Sequence, residues 1–301
     1  METPETPTIR GSIVALVTPM LKNGEIDEGA FKALLDWHIA MGSAAAVIAG
    51  TTGESPTLTL EENRRLTADA VKCSNGRMPI IGGVGANATA EAVELTKQAA
   101  EDGADAGLSV IPYYNRPTQE GLFRHFSAVA DASNLPIILY DVPKRCGTTF
   151  ETATLVRLSE HQNIIGLKDA TGDLRRLHEH REKLPDNFLL YSGDDGTAAD
   201  YISGGGNGVI SVTANIAPKR MSDMCRAALD GDKEKARHLD STLRAMHTAQ
   251  GSESNPIPIK WALSEEGRIG PALRLPLTPL SERHHNTVRA AVNNSRQEEN
   301  E

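Results

Sequence analysis

The chain has 301 residues, of which 39% are hydrophobic and 24% are charged, values that are typical of a globular protein. Its net charge of −9 excludes a nucleic-acid-binding protein or one that binds an anionic membrane, because both need a basic surface. No apolar run approaches the roughly 18 residues that a membrane-spanning helix requires. Three widely spaced cysteines predict no disulfide framework and favour a reduced, cytoplasmic setting.

Short apolar runs recur along the first three quarters of the chain. Each is rich in Val, Ile or Leu and bounded by Gly, Pro, Asn or Asp, as expected for strands buried on both faces. They begin 20 to 34 residues apart, which is the spacing of a strand–helix unit. The eight predicted strands are residues 12–17, 45–49, 79–84, 106–111, 136–141, 164–168, 188–192 and 208–212.

Amphipathic segments lie between these strands. In the first, apolar residues at helical spacing follow Asp27, which is a suitable N-cap. In the second, Thr59 and Glu62 have the spacing of a capping box. Eight strand–helix units predict an α/β fold, a (β/α)8 TIM barrel over residues 1–230. An open, doubly wound sheet fits the same pattern.

The strand pattern stops after the eighth unit. Residues 232–250, 256–266 and 281–293 are predicted helices, and with their connections they form a C-terminal helical region over residues 231–295. The last residues, 296–301, are polar and are predicted to be disordered. A barrel with a helical extension therefore accounts for the length of the chain better than two ordinary domains.

Polar side chains follow five of the predicted strands. In a parallel barrel the active site lies at the carboxyl ends of the strands, so we expect these side chains to converge on one rim. They include hydroxyls, a lysine and an arginine. The five segments are GTTGES (50–55), PYYNRP (112–117), YDVPKR (140–145), KDAT (168–171) and SGDD (192–195).

Lys168 is the strongest candidate for chemistry on this rim. It follows the buried run IIGL, so its ammonium is predicted to be partly desolvated, and desolvation lowers the pKa of an amine. A neutral amine attacks a carbonyl carbon and forms a Schiff base, which is an electron sink for carbon–carbon bond chemistry. A lysine that ends a strand and reaches solvent is the alternative.

Four neighbouring residues fit the same chemistry. Tyr140, one strand away, can donate or relay a proton. Thr51 and Thr52 lie in a glycine-bounded turn, where hydroxyls and backbone N–H groups can hold a carboxylate. Arg145 can form a bidentate pair with a carboxylate. Each also has a purely structural alternative: a packed ring, a turn or helix cap, and a surface arginine.

Three other motifs carry less weight. GVGANA (83–88) imitates a dinucleotide-binding fingerprint but falls in the third unit rather than the first. GGGNG (204–208) precedes its strand, so it is predicted to be a turn at the opposite end of the barrel. His178 and His180 are two residues apart and cannot share a helix face, and HExxH is lacking, so no metal site is predicted.

Together these segments resemble the pyruvate-dependent class I aldolases of the N-acetylneuraminate lyase family. The resemblance runs from Gly11 to about Ala290 and includes NPIPIKWAL (255–263) and LRLPLTPL (273–280). Within the family it is specific for enzymes that condense pyruvate with L-aspartate 4-semialdehyde to 4-hydroxy-tetrahydrodipicolinate, the first committed step of diaminopimelate and lysine biosynthesis. The motifs are GTTGES, PYYNRP, YDVP, IIGLKDATG, SGDD and GVISVTAN.

The resemblance implies a cytoplasmic lyase that needs no cofactor beyond a covalent imine between Lys168 and pyruvate. It implies that Tyr140 and Thr51 relay protons. Tyr114 would complete the relay from the neighbouring subunit of a tight dimer. Family members are usually homotetramers built from two such dimers, so a homotetramer is expected.

The resemblance also implies how the two substrates are held. Thr52 would bind the carboxylate of pyruvate, and Arg145 would bind the carboxylate of L-aspartate 4-semialdehyde. Gly193 and Ile210 would line the pocket.

The chain departs from the family pattern at several positions. Asp141 stands where the family often has Asn, and we expect this change to be tolerated. Leu60 and Asn63 replace histidines of lysine-sensitive members, and Pro56 replaces a small residue. Leu60 cannot hydrogen-bond an effector, so weak or absent inhibition by lysine is predicted. The residues that match the lysine feedback site are Ser55, Asn87, Glu91 and Tyr113.

Two alternative functions differ in what they require. Sialic-acid lyases and keto-deoxy-sugar aldolases share the imine chemistry, but a polyol acceptor does not need the cation of Arg145. A non-catalytic barrel that binds a keto acid or a partner does not need Lys168, Tyr140 and Thr51 together. All three are present.

Overall fold

A computed structural model describes residues 9–297 of the chain. Its centre is a closed barrel of eight parallel strands in sequential order. Every predicted strand is confirmed to within one or two residues at each end. The strands are β1 (Gly11–Ala15), β2 (Ala45–Ile48), β3 (Ile80–Gly83), β4 (Ala106–Val110), β5 (Ile137–Asp141), β6 (Ile164–Asp169), β7 (Leu189–Ser192) and β8 (Gly208–Ser211).

Helices alternate with the strands, and three further helices follow the last strand–helix unit. None of the helices within residues 9–297 has the length and apolar character needed to cross a membrane. The helices are α1 (Glu28–Ala40), α2 (Leu60–Ser74), α3 (Thr89–Glu101), α4 (Gln119–Ala130), α5 (Pro143–Cys146), α6 (Thr152–Ser159), α7 (Leu174–Lys183), α8 (Ala198–Ser203), α9 (Pro218–Leu229), α10 (Lys233–Ala249), α11 (Ile257–Glu265) and α12 (Glu282–Gln297).

The closure of the barrel excludes the open, doubly wound sheet. Strand β1 pairs in parallel with β2 on one side and with β8 on the other, where Gly11 lies opposite Gly208. Because both strand faces are covered, every residue of β2, β3, β7 and β8 is buried. The predicted fold, a (β/α)8 TIM barrel with added C-terminal helices, is confirmed.

Local sequence signals set the helix starts. The Asp27 carboxylate accepts from the backbone N–H of Ala30 and caps α1. Thr59 and Glu62 form both hydrogen bonds of the predicted capping box at the start of α2. These bonds satisfy N–H groups that have no partner within their own helix.

The glycine motif GVGANA has a packing role rather than a phosphate-binding geometry. A Cβ on Gly83 would overlap the backbone of Ala49, and one on Gly85 would overlap the backbone of Val110. Glycine is therefore required for the close approach of neighbouring strand ends. The second motif, GGGNG, leads into β8 at the amino-terminal edge of the barrel, opposite the rim where the polar segments lie.

The C-terminal helical region packs against the last barrel helix through α10. Helix α9 ends at Leu229, and α10 packs on both α9 and α12. The predicted domain boundaries at residues 230 and 295 stay predictions. Of the predicted disordered tail, residues 298–301 lie outside the described part of the chain.

Candidate active site

Lys168 and Tyr140 lie side by side on neighbouring strands. Strands β5 and β6 pair so that Tyr140 is opposite Lys168, and residues in register on parallel strands point to the same face. Both residues are buried, with 7% of Tyr140 and 5% of Lys168 exposed. The Lys168 Nζ lies 4.3 Å from the centroid of the Tyr140 ring. The structure thus brings together the amine and the phenol that the sequence singled out.

The environment of Lys168 makes its ammonium easier to deprotonate than that of an ordinary lysine. Burial lowers the pKa of Lys168 to about 8, the charge of Asp195 opposes this shift, and the charge of Arg145 adds to it. Within residues 9–297 the Lys168 ammonium makes no hydrogen bond or salt bridge. At pH 7 about a tenth of such a group is neutral, which is far more than for an ordinary lysine.

Gly193 lies against the Lys168 side chain, while Ile210, the other residue predicted to line the pocket, lies in β8. Gly193 follows β7, and a Cβ at this position would lie 2.9 Å from Lys168 Cε and 2.7 Å from the Cβ of Ala170. Ile210 is a buried residue of β8 and pairs with Ile13. Gly193 therefore leaves space that the Lys168 side chain occupies.

The loop after β2 carries both candidate threonines. Burial raises the pKa of Tyr140 to about 12, and the charge of Arg145 and the nearby Thr51 side chain oppose this shift. Thr52 is buried, and its Oγ1 accepts a hydrogen bond of 3.0 Å from Asn255 Nδ2. The two threonines therefore have different neighbours, one inside the barrel and one in the C-terminal region.

A buried ion pair fixes the same loop, and the sequence analysis missed it. Glu54 has a left-handed backbone (φ 61°), and both its side chain and that of Lys260 are fully buried. Lys260 Nζ donates to Glu54 Oε1 at 2.5 Å and to the Thr18 carbonyl at 2.9 Å. The other Glu54 oxygen accepts from the backbone N–H of Arg274. The segments GTTGES, NPIPIKWAL and LRLPLTPL thus meet at one carboxylate.

Arg145 lies on the short helix α5, just after β5, and is exposed. Its Nη2 donates to the backbone carbonyl of Asn255 at 3.3 Å. Its charge acts on both Lys168 and Tyr140, because it lowers the pKa of each. This places a guanidinium near the mouth, with donors left over for an incoming carboxylate.

The outer faces of β5 and β6 carry a second polar cluster. It contains Asp141, the position at which the family often has Asn. Asp141 and Asp169 are in register, one residue beyond Tyr140 and Lys168, so they point away from the barrel interior. Arg176 of α7 donates to Asp169 Oδ2 at 2.8 Å and to Asp141 Oδ2 at 2.7 Å. Burial nevertheless raises the pKa of Asp141 to about 6. Arg176 thus links the ends of β5 and β6 on the outer side of the barrel.

Tyr114 is placed differently from the other predicted site residues. It is 90% exposed, has a left-handed backbone (φ 73°), and makes no hydrogen bond with its side chain within residues 9–297. The single chain therefore does not bring its hydroxyl to Lys168.

Three of the residues that match the feedback site, Ser55, Asn87 and Tyr113, follow β2, β3 and β4, and the fourth, Glu91, lies in the first turn of α3. Asn115 Nδ2 donates to the Asn87 carbonyl at 2.8 Å and joins the loops after β3 and β4. Burial and the charge of Glu91 raise the pKa of Tyr113. Leu60, at the start of α2, is 44% exposed, and Asn63 Nδ2 donates to the Gly83 carbonyl at 3.2 Å. Asn63 is thus engaged with the barrel.

Comparison with known proteins places these features in a family. Residues 8–295 match the model of the dihydrodipicolinate synthetase family. The 4-hydroxy-tetrahydrodipicolinate synthase of Thiobacillus denitrificans is 51% identical over 288 residues, which are 96% of this chain and 97% of that protein.

Two solved structures are similar to this chain over nearly its whole length. The chloride-inhibited dihydrodipicolinate synthase from Acinetobacter baumannii complexed with pyruvate is 49% identical, with a TM-score of 0.94 over 95% of this chain and 99% of that one. The enzyme from Cyanidioschyzon merolae with lysine bound is 37% identical, with a TM-score of 0.93 over 96% and 98%. The chain therefore belongs to the dihydrodipicolinate synthetase family.

Proposed function

We propose that this protein is a Schiff-base lyase that condenses pyruvate with L-aspartate 4-semialdehyde to give 4-hydroxy-tetrahydrodipicolinate. The observation that carries the proposal is the buried ammonium of Lys168, which has no counter-ion in contact among the described residues and lies 4.3 Å from the Tyr140 ring centroid. The relatives named as synthases of this compound support the choice of reaction. The same reaction places the protein in diaminopimelate and lysine biosynthesis.

The first step forms the imine. The neutral Lys168 amine adds to the ketone carbon of pyruvate, the ketone oxygen takes up protons and leaves as water, and a C=N bond remains. Tyr140, whose ring lies beside the amine, donates and accepts the proton, and the adjacent Thr51 continues the proton path. No external cofactor is needed, because the protonated imine is itself the electron sink.

The second step forms the carbon–carbon bond. The methyl carbon of the bound pyruvate loses a proton, and the resulting enamine attacks the aldehyde carbon, whose oxygen becomes a hydroxyl. The amino group of the second substrate then adds to the imine carbon, and the C–N bond to Lys168 breaks. The two substrates thus join with loss of one water, and the free lysine is regenerated.

A hydroxyl and a cation would hold the two carboxylates during these steps. Thr52 binds the carboxylate of pyruvate beside Lys168, and Gly193 and Ile210 shape the space around it. Arg145, at the mouth, binds the carboxylate of the semialdehyde through a charge-assisted pair. This requirement for a cation separates the reaction from those of family members that accept polyol aldehydes.

The proposal includes a homotetramer made of two tight dimers. Tyr114 of the partner subunit would complete the proton relay of Tyr140 and Thr51. Its 90% exposure and left-handed backbone support this assignment, because a large aromatic side chain is held outward at an energetic cost. The three free cysteines support a reduced, cytoplasmic location.

The experiment that tests the proposal is borohydride reduction with pyruvate, followed by peptide mass spectrometry. We expect an adduct on Lys168 and no other lysine. No adduct, or one on Lys260, contradicts the mechanism. A second assay compares acceptors: turnover with L-aspartate 4-semialdehyde but not with sugar aldehydes is expected, and the reverse order would assign the protein to a sugar-acid aldolase.

A further inference from the structure

Asn255 contacts both residues to which carboxylate binding is assigned. It lies between α10 and α11, outside the barrel, and its Nδ2 donates to Thr52 Oγ1 at 3.0 Å. Its backbone carbonyl accepts from Arg145 Nη2 at 3.3 Å. One residue of the C-terminal region therefore contacts both Thr52, in the loop after β2, and Arg145, in α5.

The direction of the hydrogen bond to Thr52 has a chemical consequence. A threonine hydroxyl has one proton to donate, and its oxygen can accept. Because the Asn255 amide donates to that oxygen, the Thr52 proton stays available for another acceptor. A carboxylate accepts hydrogen bonds and donates none when ionised, so a hydroxyl in this state suits it.

We propose that Asn255 is a positioning residue for pyruvate, which orients the Thr52 hydroxyl as a donor toward the substrate carboxylate. Its backbone carbonyl holds Arg145 at the same time, so Asn255 sets the separation between the two carboxylate anchors. This inference rests on the proposed function. It also gives the C-terminal region a direct part in substrate binding.

The second amide atom of Asn255 carries a cost that its other contacts must offset. Asn255 Oδ1 is buried and has no hydrogen-bond partner within the described residues. A buried acceptor without a partner is unfavourable and needs compensation elsewhere. The bond to Thr52 and the backbone contact with Arg145 provide contacts that hold the residue in this position.

The decisive variants are Asn255→Asp and Asn255→Ala. An aspartate side chain has the shape of asparagine but can only accept from Thr52 when ionised, so it takes the hydroxyl proton and places a negative charge beside the anchor. We expect N255D to raise the KM for pyruvate about ten- to a hundredfold. N255A leaves the Thr52 proton free, and we expect a smaller rise of about two- to fivefold.

The pH profile gives a signature that a merely structural role would not produce. When the carboxyl group introduced in N255D is protonated, it regains a donor, so the KM of this variant for pyruvate should fall as the pH is lowered. The KM of N255A should not follow this trend. The KM for L-aspartate 4-semialdehyde should change little in N255A, because the backbone carbonyl that holds Arg145 remains. Melting temperatures show whether either variant is misfolded.

A double variant tests whether Thr52 carries the effect. In a Thr52→Val background, which lacks the hydroxyl, N255A should cause no further rise in the KM for pyruvate. Full additivity, a wild-type KM in N255D, or a larger effect in N255A than in N255D would each overturn the assignment. If those results occur while the wild type still traps pyruvate on Lys168, only the role of Asn255 fails; if the wild type traps none, the proposed function fails as well.

Discussion

Two lysines within residues 9–297 are buried, and they have opposite surroundings. Lys168 is 5% exposed at the mouth of the barrel and has no hydrogen-bond partner within residues 9–297. Lys260 is fully buried in α11 and donates to Glu54 and to the Thr18 carbonyl. Burial lowers the pKa of both, but only Lys260 has a carboxylate in contact that opposes the shift.

The two lysines show that burial alone does not make a lysine reactive. An ion-paired ammonium keeps its proton and its position, so Lys260 ties the C-terminal region to the loop that carries Thr51 and Thr52. An unpaired ammonium releases its proton more easily and has a lone pair to offer. The same residue type therefore holds the site together at one place and is the proposed nucleophile at the other.

The largest expected effect is that of replacing Lys168 with Met. Met is similar in size but has no amine, so trapping of pyruvate should disappear and turnover should fall by at least about a thousandfold. Borohydride trapping and a coupled assay of product formation measure this. Residual trapping on another lysine would contradict the assignment of Lys168 as the nucleophile.

Replacing Lys260 with Met should mainly affect stability. Glu54 would be left as an uncompensated buried charge, which costs about 3–5 kcal/mol in the free energy of unfolding. Denaturant or thermal unfolding measures the loss. The double variant Glu54→Gln with Lys260→Met should recover part of it, and Lys168 should still be trapped in whatever fraction stays folded. Equal stability of the single variant and the wild type would contradict the assignment.

Gly193→Ala tests the space around the reactive lysine. The added methyl would lie 2.7 Å from the Ala170 Cβ and 2.9 Å from Lys168 Cε, so one of them must move. We expect trapping to slow by about tenfold or more and stability to fall by about 1–3 kcal/mol. Gly196→Ala is the matched control, since its nearest neighbour, Asp194 Oδ2, lies at an ordinary 3.7 Å. Similar behaviour of the two variants would argue against a tight fit at Lys168.

The pH dependence of imine formation should report the pKa of Lys168, about 8. The protonated amine cannot attack, so the single-turnover rate of trapping should fall as the pH drops through 8, by about tenfold between its plateau and pH 7. Asp195→Asn should move the midpoint down, because the Asp195 charge raises this pKa. An unchanged midpoint in that variant would exclude a direct electrostatic effect of Asp195.

The smallest expected effect is that of added lysine. The exposed Leu60 offers no hydrogen bond, and Asn63 is already bound to the Gly83 carbonyl. Initial rates at millimolar lysine should therefore stay close to those without it. Strong inhibition would show that Ser55, Asn87, Glu91 and Tyr113 bind the effector without help from Leu60 or Asn63.

The strands and the position of Lys168 could be predicted because their signals are local. Apolar runs, turn residues and capping spacing are each read within about ten residues, and the rule that parallel strands end at one rim does the rest. The apolar residues before each lysine do not by themselves distinguish Lys168 from Lys260, since IIGL precedes one and IPI the other; the sequence favours Lys168 because it ends a predicted strand. What separates them is the partner, and Glu54 is 206 residues from Lys260.

The other contacts missed from the sequence are also long-range. Asn255 reaches Thr52 across 203 residues, and Arg176 reaches Asp141 across 35. Such pairs produce no periodic pattern in the sequence. NPIPIKWAL contributed only motif similarity to the sequence analysis, and KDAT only marked the end of a predicted strand. The sequence led us to expect that Asp141 in place of Asn would be tolerated. Its ion pair with Arg176 could not be predicted, because that requires knowing where α7 lies.

The separation between Glu54 and Lys260 has a consequence for how the protein is made. At a synthesis rate of about 5–20 residues per second, the 206 residues between them take about 10 to 40 s to add. During this interval the strands from β3 to β8 are all synthesised, while the loop that carries Thr51 and Thr52 has no counter-ion for its carboxylate. The loop therefore acquires its counter-ion only after α11 has been synthesised, and a nascent chain cut short after the barrel would keep Lys168 but lack the ion pair that fixes this loop.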